Sequence, residues 1–248
     1  MIALRSQKVL IWWSVLFGLI YFAALAFCLH LLPTPSAQQS PAEIAQYYGE
    51  HSLLVRMGAA LAALTGAFMM PWVVVLTTQL YRHEKLRDKA DFPVWTVMAA
   101  ANGALATVII VIPTNFLGTA AYAPDRASDV TTALHELGIL MWLSGDQWAI
   151  FFALSVAVVC LIPNSVKHSP FPRWYGYMAI IVAVGSSPSV VIYLTRTGPF
   201  AWNGLLGYWV PMMVFVFWFP AGMVLLYKAI NAQMRELASV PPKVLSNV

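Results

Sequence analysis

The sequence predicts an all-α membrane protein, a polytopic bundle of six transmembrane helices that forms one integral membrane domain over residues 1–248. Two observations support this fold class. The chain holds six apolar segments longer than the ~20 residues with which a helix crosses a bilayer, and its positive charges are biased to one side of them. The segments lie at about 9–32, 54–81, 94–120, 134–162, 174–195 and 204–227.

The composition excludes a soluble domain. Hydrophobic residues make up 60% of the chain and charged residues 10%, whereas soluble domains carry about 25% charged residues. The net charge of +4 is spread over several segments at the ends of the predicted spans. It therefore indicates contact with the lipid bilayer and not a nucleic-acid partner.

The positive charges also predict the orientation. If the chain starts in the cytoplasm, eleven of the fourteen lysines and arginines are cytoplasmic, and the exceptions are Arg56, Arg126 and Arg196. The cytoplasmic set is Arg5, Lys8, Arg82, Lys85, Arg87, Lys89, Lys167, Arg173, Lys228, Arg235 and Lys243. Because cytoplasmic connections are enriched in Lys and Arg, we expect both termini in the cytoplasm of a multi-pass protein of the cell inner membrane.

The first apolar segment is predicted to be an uncleaved anchor, because it is longer than the ~7–15 apolar residues of a signal peptide. The next connection, over 33–53, is expected to include a short interfacial helix at 41–53. Cys28 and Cys160 lie near opposite faces of the predicted bundle, so a disulfide between them is excluded.

Two short stretches resemble each other: 92–95 (Phe-Pro-Val-Trp) enters the third span and 171–174 (Phe-Pro-Arg-Trp) enters the fifth. Proline at a helix start and tryptophan at an interface are common enough to arise independently. The alternative is a duplicated hairpin, with spans two and three repeated as spans four and five. A three-plus-three inverted repeat also fits the helix count, but the two halves show no convincing sequence match.

The two Phe-Pro-x-Trp helix starts, together with the Gly-Pro-Phe-Ala-Trp-Asn-Gly turn at 198–204, resemble features of small multi-span bacterial inner-membrane protein families of unknown function. The resemblance covers most of the chain and rests on topology. It implies a bacterial inner-membrane protein and carries over no active site.

Asp146 is the most prominent candidate functional residue, because it lies well inside the fourth span. A charged side chain there costs about 2.5–3.5 kcal/mol on insertion scales and faces protein or water. One interpretation is a proton or ligand site. The other is a structural hydrogen bond between helices.

Helical spacing adds neighbours to Asp146. His135 lies eleven residues before it, or three turns, and so shares its face, with Trp142 close to the same line. Glu136 and Gln147 form an adjacent polar stripe. The two stripes predict either an outward-facing polar cavity or a helix buried by its polar side.

The fifth span offers a partner at comparable depth, in the stretch 185–189 (Gly-Ser-Ser-Pro-Ser). Pro188 lacks a backbone N–H and frees the carbonyl of Val184. Serine hydroxyls commonly satisfy such freed groups in membrane helices. We therefore assign Ser186, Ser187 and Ser189 to the candidate ligand site.

Histidines and carboxylates also gather near the predicted outer face, where His30, Glu50, His51 and His135 lie at span ends. These are residue types that bind first-row metals. No helix carries them at ligand spacing, so we expect no metal site and no cofactor, with haem the less favoured alternative.

Three functions remain open. The favoured one is a small-ligand binding or carrier-like protein whose partner is a small lipophilic ligand. The first alternative is an accessory or assembly subunit that binds other membrane subunits. The second is an intramembrane enzyme on a lipophilic substrate with His135, Glu136 or Asp146 as acid or base; P-loop, GxSxG, HExxH and CxxC motifs are absent from the sequence.

The orientation can be tested with reporter fusions at residues 125 and 240. The charge bias predicts an external signal at 125 and a cytoplasmic signal at 240. A cytoplasmic signal at 125 would overturn the whole topology.

Overall fold

The computed structural model of the protein describes residues 2–88, 92–163 and 166–239. Within these residues the chain is helical and contains no strand. The α-helices are α1 Ile2–Ala23, α2 Pro41–Thr65, α3 Met69–Asp88, α4 Val94–Tyr122, α5 Ser128–Ser144, α6 Asp146–Leu161, α7 Arg173–Ser186 and α8 Val210–Ser239. Four shorter segments depart from the α-helix: 3-10 turns at Gly66–Phe68 and Ser187–Leu194, and π-helical turns at Ala24–Cys28 and Leu205–Trp209.

These helices join into six candidate spans, each long and apolar enough to cross a membrane. In chain order they are Ala3–Cys28, Pro41–Lys85, Val94–Tyr122, Ser128–Leu161, Arg173–Leu194 and Leu205–Ser239. The predicted all-α fold and the number of helices of spanning length are confirmed. Cys28 and Cys160 are free, as expected.

The second and sixth spans are longer than the sequence indicated. The stretch 41–53 is the first part of α2 and not a separate interfacial helix. A reciprocal cap starts it, in which the Ser40 hydroxyl accepts from the Glu43 N–H at 3.3 Å and Glu43 Oε2 accepts from the Ser40 N–H at 2.7 Å. The sixth span continues past 227 because α8 still buries Ala229, Ile230 and Gln233.

Both ends of the described chain lie at the same end of the bundle. Lys8 sits over the Tyr227 ring, 5.0 Å from its centroid, and Arg82 donates to the Lys167 carbonyl at 2.8 Å. We call this the basic end, defined by Lys8, Arg82 and Lys167. The far end is defined by Leu31 and Trp202.

A buried carboxylate joins the second and third spans at the basic end. Glu84, only 4% exposed, accepts from the backbone N–H groups of Trp95 at 3.0 Å and Thr96 at 2.7 Å. It thereby satisfies two of the unpaired donors at the start of α4 and complements the positive end of the helix dipole.

The two Phe-Pro-x-Trp stretches lie in unlike surroundings. Phe92 is 62% exposed, whereas Phe171 is 3% exposed and packs against the His83 ring with centroids 5.1 Å apart. Glu84 caps the helix after the first stretch, although the N-cap residues Pro93 and Pro172 are alike in making no side-chain cap. The difference favours independent helix starts over the duplicated hairpin.

One packing arrangement, in which a side chain lies against a glycine of the next span, occurs in both halves of the chain. A Cβ built on Gly58 would lie 2.5 Å from Cβ of Cys28 and 3.1 Å from Cγ of Leu29. A Cβ built on Gly176 would lie 2.6 Å from Cβ of Cys160 and 3.1 Å from Cγ of Leu161. In each half of the chain, a Cys-Leu pair that ends one span therefore packs on a glycine of the next.

The two sites lie at opposite ends of the bundle, since the first span ends at the far end and the fourth at the basic end. The span that carries the glycine is also broken in each half, by the 3-10 turn Gly66–Phe68 before Pro71 and by Ser187–Leu194 around Pro188. We interpret spans one to three and four to six as an inverted repeat.

Alanine substitution tests this packing. Gly58→Ala and Gly176→Ala should each destabilise the protein by about 1–3 kcal/mol, the usual cost of overpacking, because the new methyl group meets a Cβ atom that cannot rotate away. Thermal unfolding followed by tryptophan fluorescence measures the change.

Gly49→Ala in α2 is the matched control, because nothing lies within 4 Å of its Cβ position. There the substitution should be neutral or stabilise by about 0.4–1 kcal/mol. Equal stability of all three variants would contradict the close approach.

Candidate ligand cavity

A cavity of about 110 Å³ lies in the middle of the bundle. All six candidate spans contribute to its wall. Representative lining residues, one from each span, are Tyr21, Phe68, Ile109, Trp142, Ser186 and Tyr208.

The cavity lies where the spans lose regular α-helix. Phe68 ends the 3-10 turn of the second span, and Gly145 separates α5 from α6 in the fourth. Ser186 is the last residue of α7 before the 3-10 turn of the fifth span, and Tyr208 belongs to the π-helical turn of the sixth. All four residues line the cavity.

The break in the fifth span is satisfied internally. The carbonyl of Val184, predicted to be freed by Pro188, accepts from the Ser187 backbone N–H. The Ser187 hydroxyl donates to the Ala183 carbonyl at 2.7 Å, and the Ser189 hydroxyl donates to the Ser186 carbonyl at 2.8 Å. Ser187 and Ser189 therefore stabilise the broken helix, while Ser186 lines the cavity.

The polar groups of the wall are few. The Tyr21 hydroxyl donates to the Ile110 carbonyl at 2.9 Å, and the Trp142 indole lies beside that hydroxyl. The Ser186 hydroxyl makes no hydrogen bond to another described residue. Among the described side chains that line the cavity none is charged.

An aromatic layer separates the cavity from the basic end. Met69, Ala149 and Phe215 line the cavity, and residues one helical turn further along the same helices form a cluster. These are Trp72, Phe152 and Trp218, joined by Tyr175. The rings of Tyr175 and Trp218 stack with centroids 5.4 Å apart.

The histidine of the predicted site lies elsewhere. His135, 4% exposed, lines a second pocket of about 50 Å³ near the far end, together with His30, Tyr47 and Tyr48. The two cavities share no lining residue. A hydrogen bond of 2.9 Å joins His135 Nδ1 to the Tyr48 hydroxyl, whereas His135 Nε2 has no hydrogen-bond partner among the described residues.

The other predicted residues also separate. Glu136 pairs with Arg196 at 2.8 Å, and Gln147 is exposed and does not line the cavity. The side chain of Asp146 lies outside the described residues. Its backbone begins α6 after the break at Gly145, so the eleven-residue spacing from His135 does not follow one continuous helix.

Within the described residues, no group of three or more His, Cys, Asp or Glu side chains is arranged to hold a metal ion. The histidines of the far end contact tyrosines. His51 Nδ1 donates to the Tyr47 carbonyl at 3.0 Å, and a hydrogen bond of 2.8 Å joins His30 Nδ1 to the Tyr47 hydroxyl.

Of the predicted site residues, Trp142 and Ser186 line this cavity, and most of the wall consists of residues that the sequence did not single out. Tyr21, Phe68 and Tyr208 are aromatic residues within apolar runs, and such residues usually form packing or interfacial belts. The available signal was the series of helix breakers, Gly66, Pro71 and Gly145, at similar depth in neighbouring spans.

Comparisons with known proteins add no constraint on function. No protein-family model matches the chain, and neither a curated protein nor a solved structure matches it.

Two adjacent tyrosines allow a matched test of the far-end pocket. Tyr48→Phe should destabilise the protein by about 1–3 kcal/mol, because it leaves Nδ1 of the buried His135 without a partner. Tyr47→Phe should cost less than half as much, because His30 is exposed and can bind water instead. Thermal unfolding of both variants provides the comparison, and a larger loss in Tyr47→Phe would contradict it.

Proposed function

We propose that the protein binds a small, uncharged, largely apolar molecule in the central cavity and carries it across a membrane. The observation that carries this proposal is the meeting of four helix breaks at one cavity. Irregular backbone at membrane depth is tolerated where it is buried in protein or lines a cavity. Four such breaks around one space favour a ligand site over chance.

The interpretation as an inverted repeat supports transport of the ligand in addition to binding. Many carriers consist of inverted repeats, with the substrate site at the repeat interface near the midplane, formed by discontinuous helices. The paired Cys-Leu contacts with Gly58 and Gly176, together with the breaks in the second and fifth spans, follow this pattern.

Alternating access requires two barriers. On the basic side the aromatic layer of Trp72, Phe152, Tyr175 and Trp218 stands between the cavity and the end of the bundle. Towards the far end, the Tyr208 hydroxyl donates to the Leu31 carbonyl at 2.9 Å. Tyr208 also lines the cavity, so opening this contact would join the cavity to the far-end pocket.

The wall indicates the ligand's chemistry. The cavity of about 110 Å³ is smaller than the ~150 Å³ engineered apolar cavity that binds benzene, so the ligand is no larger than one ring. Ser186 offers a hydroxyl that can pair with one polar atom of the ligand. The proposed ligand is therefore a one-ring or similarly small molecule with at most one or two polar atoms.

The proposed setting is the bacterial inner membrane, with the basic end in the cytoplasm, where Lys and Arg are retained. The enzyme alternative is less well supported for two of its three candidate residues, since Glu136 is ion-paired with Arg196 and His135 faces the other pocket.

A one-ring apolar diazirine photoprobe tests the site in the purified protein, reconstituted in lipid nanodiscs. Saturable labelling should map to peptides that contain Phe68, Trp142 or Ser186. Ala106→Phe places a ring in the cavity and should remove this labelling. Ala101→Phe, an exposed position on the same helix, is the matched control and should leave it unchanged.

A second variant covers the case in which Ala106→Phe does not fold. Ser186→Ala keeps the shape of the wall and should weaken competition by phenol about two- to tenfold, the equivalent of one hydrogen bond, without affecting toluene. Labelling confined to the lipid-facing surface, or equal in all variants, would overturn the proposed site.

A further inference from the structure

A separate pocket with several polar side chains in its wall opens at the basic end, between α1, α3 and α8. It has a volume of about 400 Å³. Its polar wall is formed by Gln7 of α1, Gln79, Arg82 and Lys85 of α3, and Gln233 of α8. Gln79 is 1% exposed and Gln233 9%, so this part of the wall is buried in the bundle, whereas Gln7 and Arg82 are half-buried and Lys85 is exposed.

The three glutamine amides form a chain whose direction is fixed by its neighbours. Gln79 Oε1 accepts from Arg82 Nη1 at 3.4 Å, and a guanidinium can only donate. Gln79 must therefore direct its amide nitrogen the other way, where it donates to Gln7 Oε1 at 2.9 Å.

The orientation of the Gln233 amide is fixed by a backbone carbonyl, which can only accept a hydrogen bond. Its amide nitrogen donates to Gln79 Oε1 at 3.2 Å and lies 3.5 Å from the His168 carbonyl, which can only accept. Gln79 Oε1 thus accepts two hydrogen bonds, from Arg82 and Gln233, and Gln7 Oε1 accepts one, from Gln79. What remains at the pocket end of the chain is the amide N–H₂ of Gln7.

Arg82 is held in place in the same way. Its Nη2 donates to the Lys167 carbonyl at 2.8 Å and its Nη1 to Gln79, and the guanidinium has five N–H donors in all. Unused donors of Arg82, the Lys85 ammonium and the Gln7 amide therefore share one pocket. A wall with positive charge and with donors left over on Arg82, Lys85 and Gln7 is suited to an anion.

The described acidic side chains nearby are already engaged. Glu236 lies close enough to Arg82 to act on it electrostatically, but its oxygens pair with Lys167 and with His168 Nε2, the latter at 3.0 Å. Glu84 caps the start of α4. Neither carboxylate occupies the pocket between α1, α3 and α8.

We propose that this pocket binds the phosphate of an anionic phospholipid head group. Arg presents a planar fork that matches phosphate oxygens, and Lys adds a point charge. The pocket is larger than one phosphate, and Leu4 and Tyr81 add apolar surface to its wall. Basic pockets between helices at the cytoplasmic side of a membrane are typical head-group sites.

Native mass spectrometry of the full-length protein, with phosphatidylglycerol and phosphatidylcholine in equal amounts, tests the site. One phosphatidylglycerol should be retained in preference to phosphatidylcholine. Arg82→Gln with Lys85→Gln should weaken its binding roughly tenfold or more, as expected when a hydrogen bond to a charged group is lost.

The matched control is Lys228→Gln with Arg235→Gln, which removes the same charge from exposed positions of α8 outside the pocket. It should change binding less than about twofold, because exposed charges are screened by salt. If the Arg82 variant does not fold, Gln7→Glu keeps the side-chain size, replaces the free N–H₂ by a charged acceptor and should abolish the preference.

Competition with inorganic phosphate distinguishes a lipid head group from a soluble anion as the bound group. At concentrations of a few millimolar it should not displace the lipid. Full displacement by phosphate would assign the pocket to a soluble anion and overturn the lipid proposal. Equal retention of both lipids, or equal weakening in the pocket and control variants, would overturn the site itself.

Discussion

The structure depends on one constraint: backbone N–H and C=O groups within apolar surroundings must find partners inside the protein. In a regular α-helix these groups bond to each other, so the groups that a break frees need other hydrogen-bond partners. In the fifth span the Ser187 N–H and the hydroxyls of Ser187 and Ser189 supply it. The breaks in the second, fourth, fifth and sixth spans all touch one cavity, and irregular helical turns of this kind are frequent at functional sites.

The recurring contact of a Cys-Leu pair with a glycine explains how two halves enclose that cavity. Close approach at Gly58 and Gly176 sets how the first span of each half crosses the second. Because the two contacts lie at opposite ends of the bundle, we interpret the halves as related by inversion. The broken second helix of each half then reaches the cavity from opposite directions. The anion pocket at the basic end is independent of this arrangement, since it is formed by α1, α3 and α8 away from the breaks.

The fold was more predictable from the sequence than the site. Length and hydropathy identify a spanning helix locally, and the predicted start of the third span at Val94 agrees with α4. The site depends on which helices are neighbours and on whether a helix remains continuous, and neither is a local property. The alignment of His135 with Asp146 assumed a continuous helix, which the break at Gly145 interrupts. Trp142 was identified through its helical spacing from His135 and Asp146, and Ser186 because it lies next to Pro188. Tyr21 and Tyr208 instead resemble ordinary packing aromatics.

The most direct test of the central claim is an experimental density map of the purified protein in lipid nanodiscs. The account predicts spans that stay broken at 66–68 and 187–194, and non-protein density between Trp142 and Ser186 after incubation with a one-ring apolar ligand. Continuous α-helices through both segments, with side chains filling the space between Trp142 and Ser186, would contradict it.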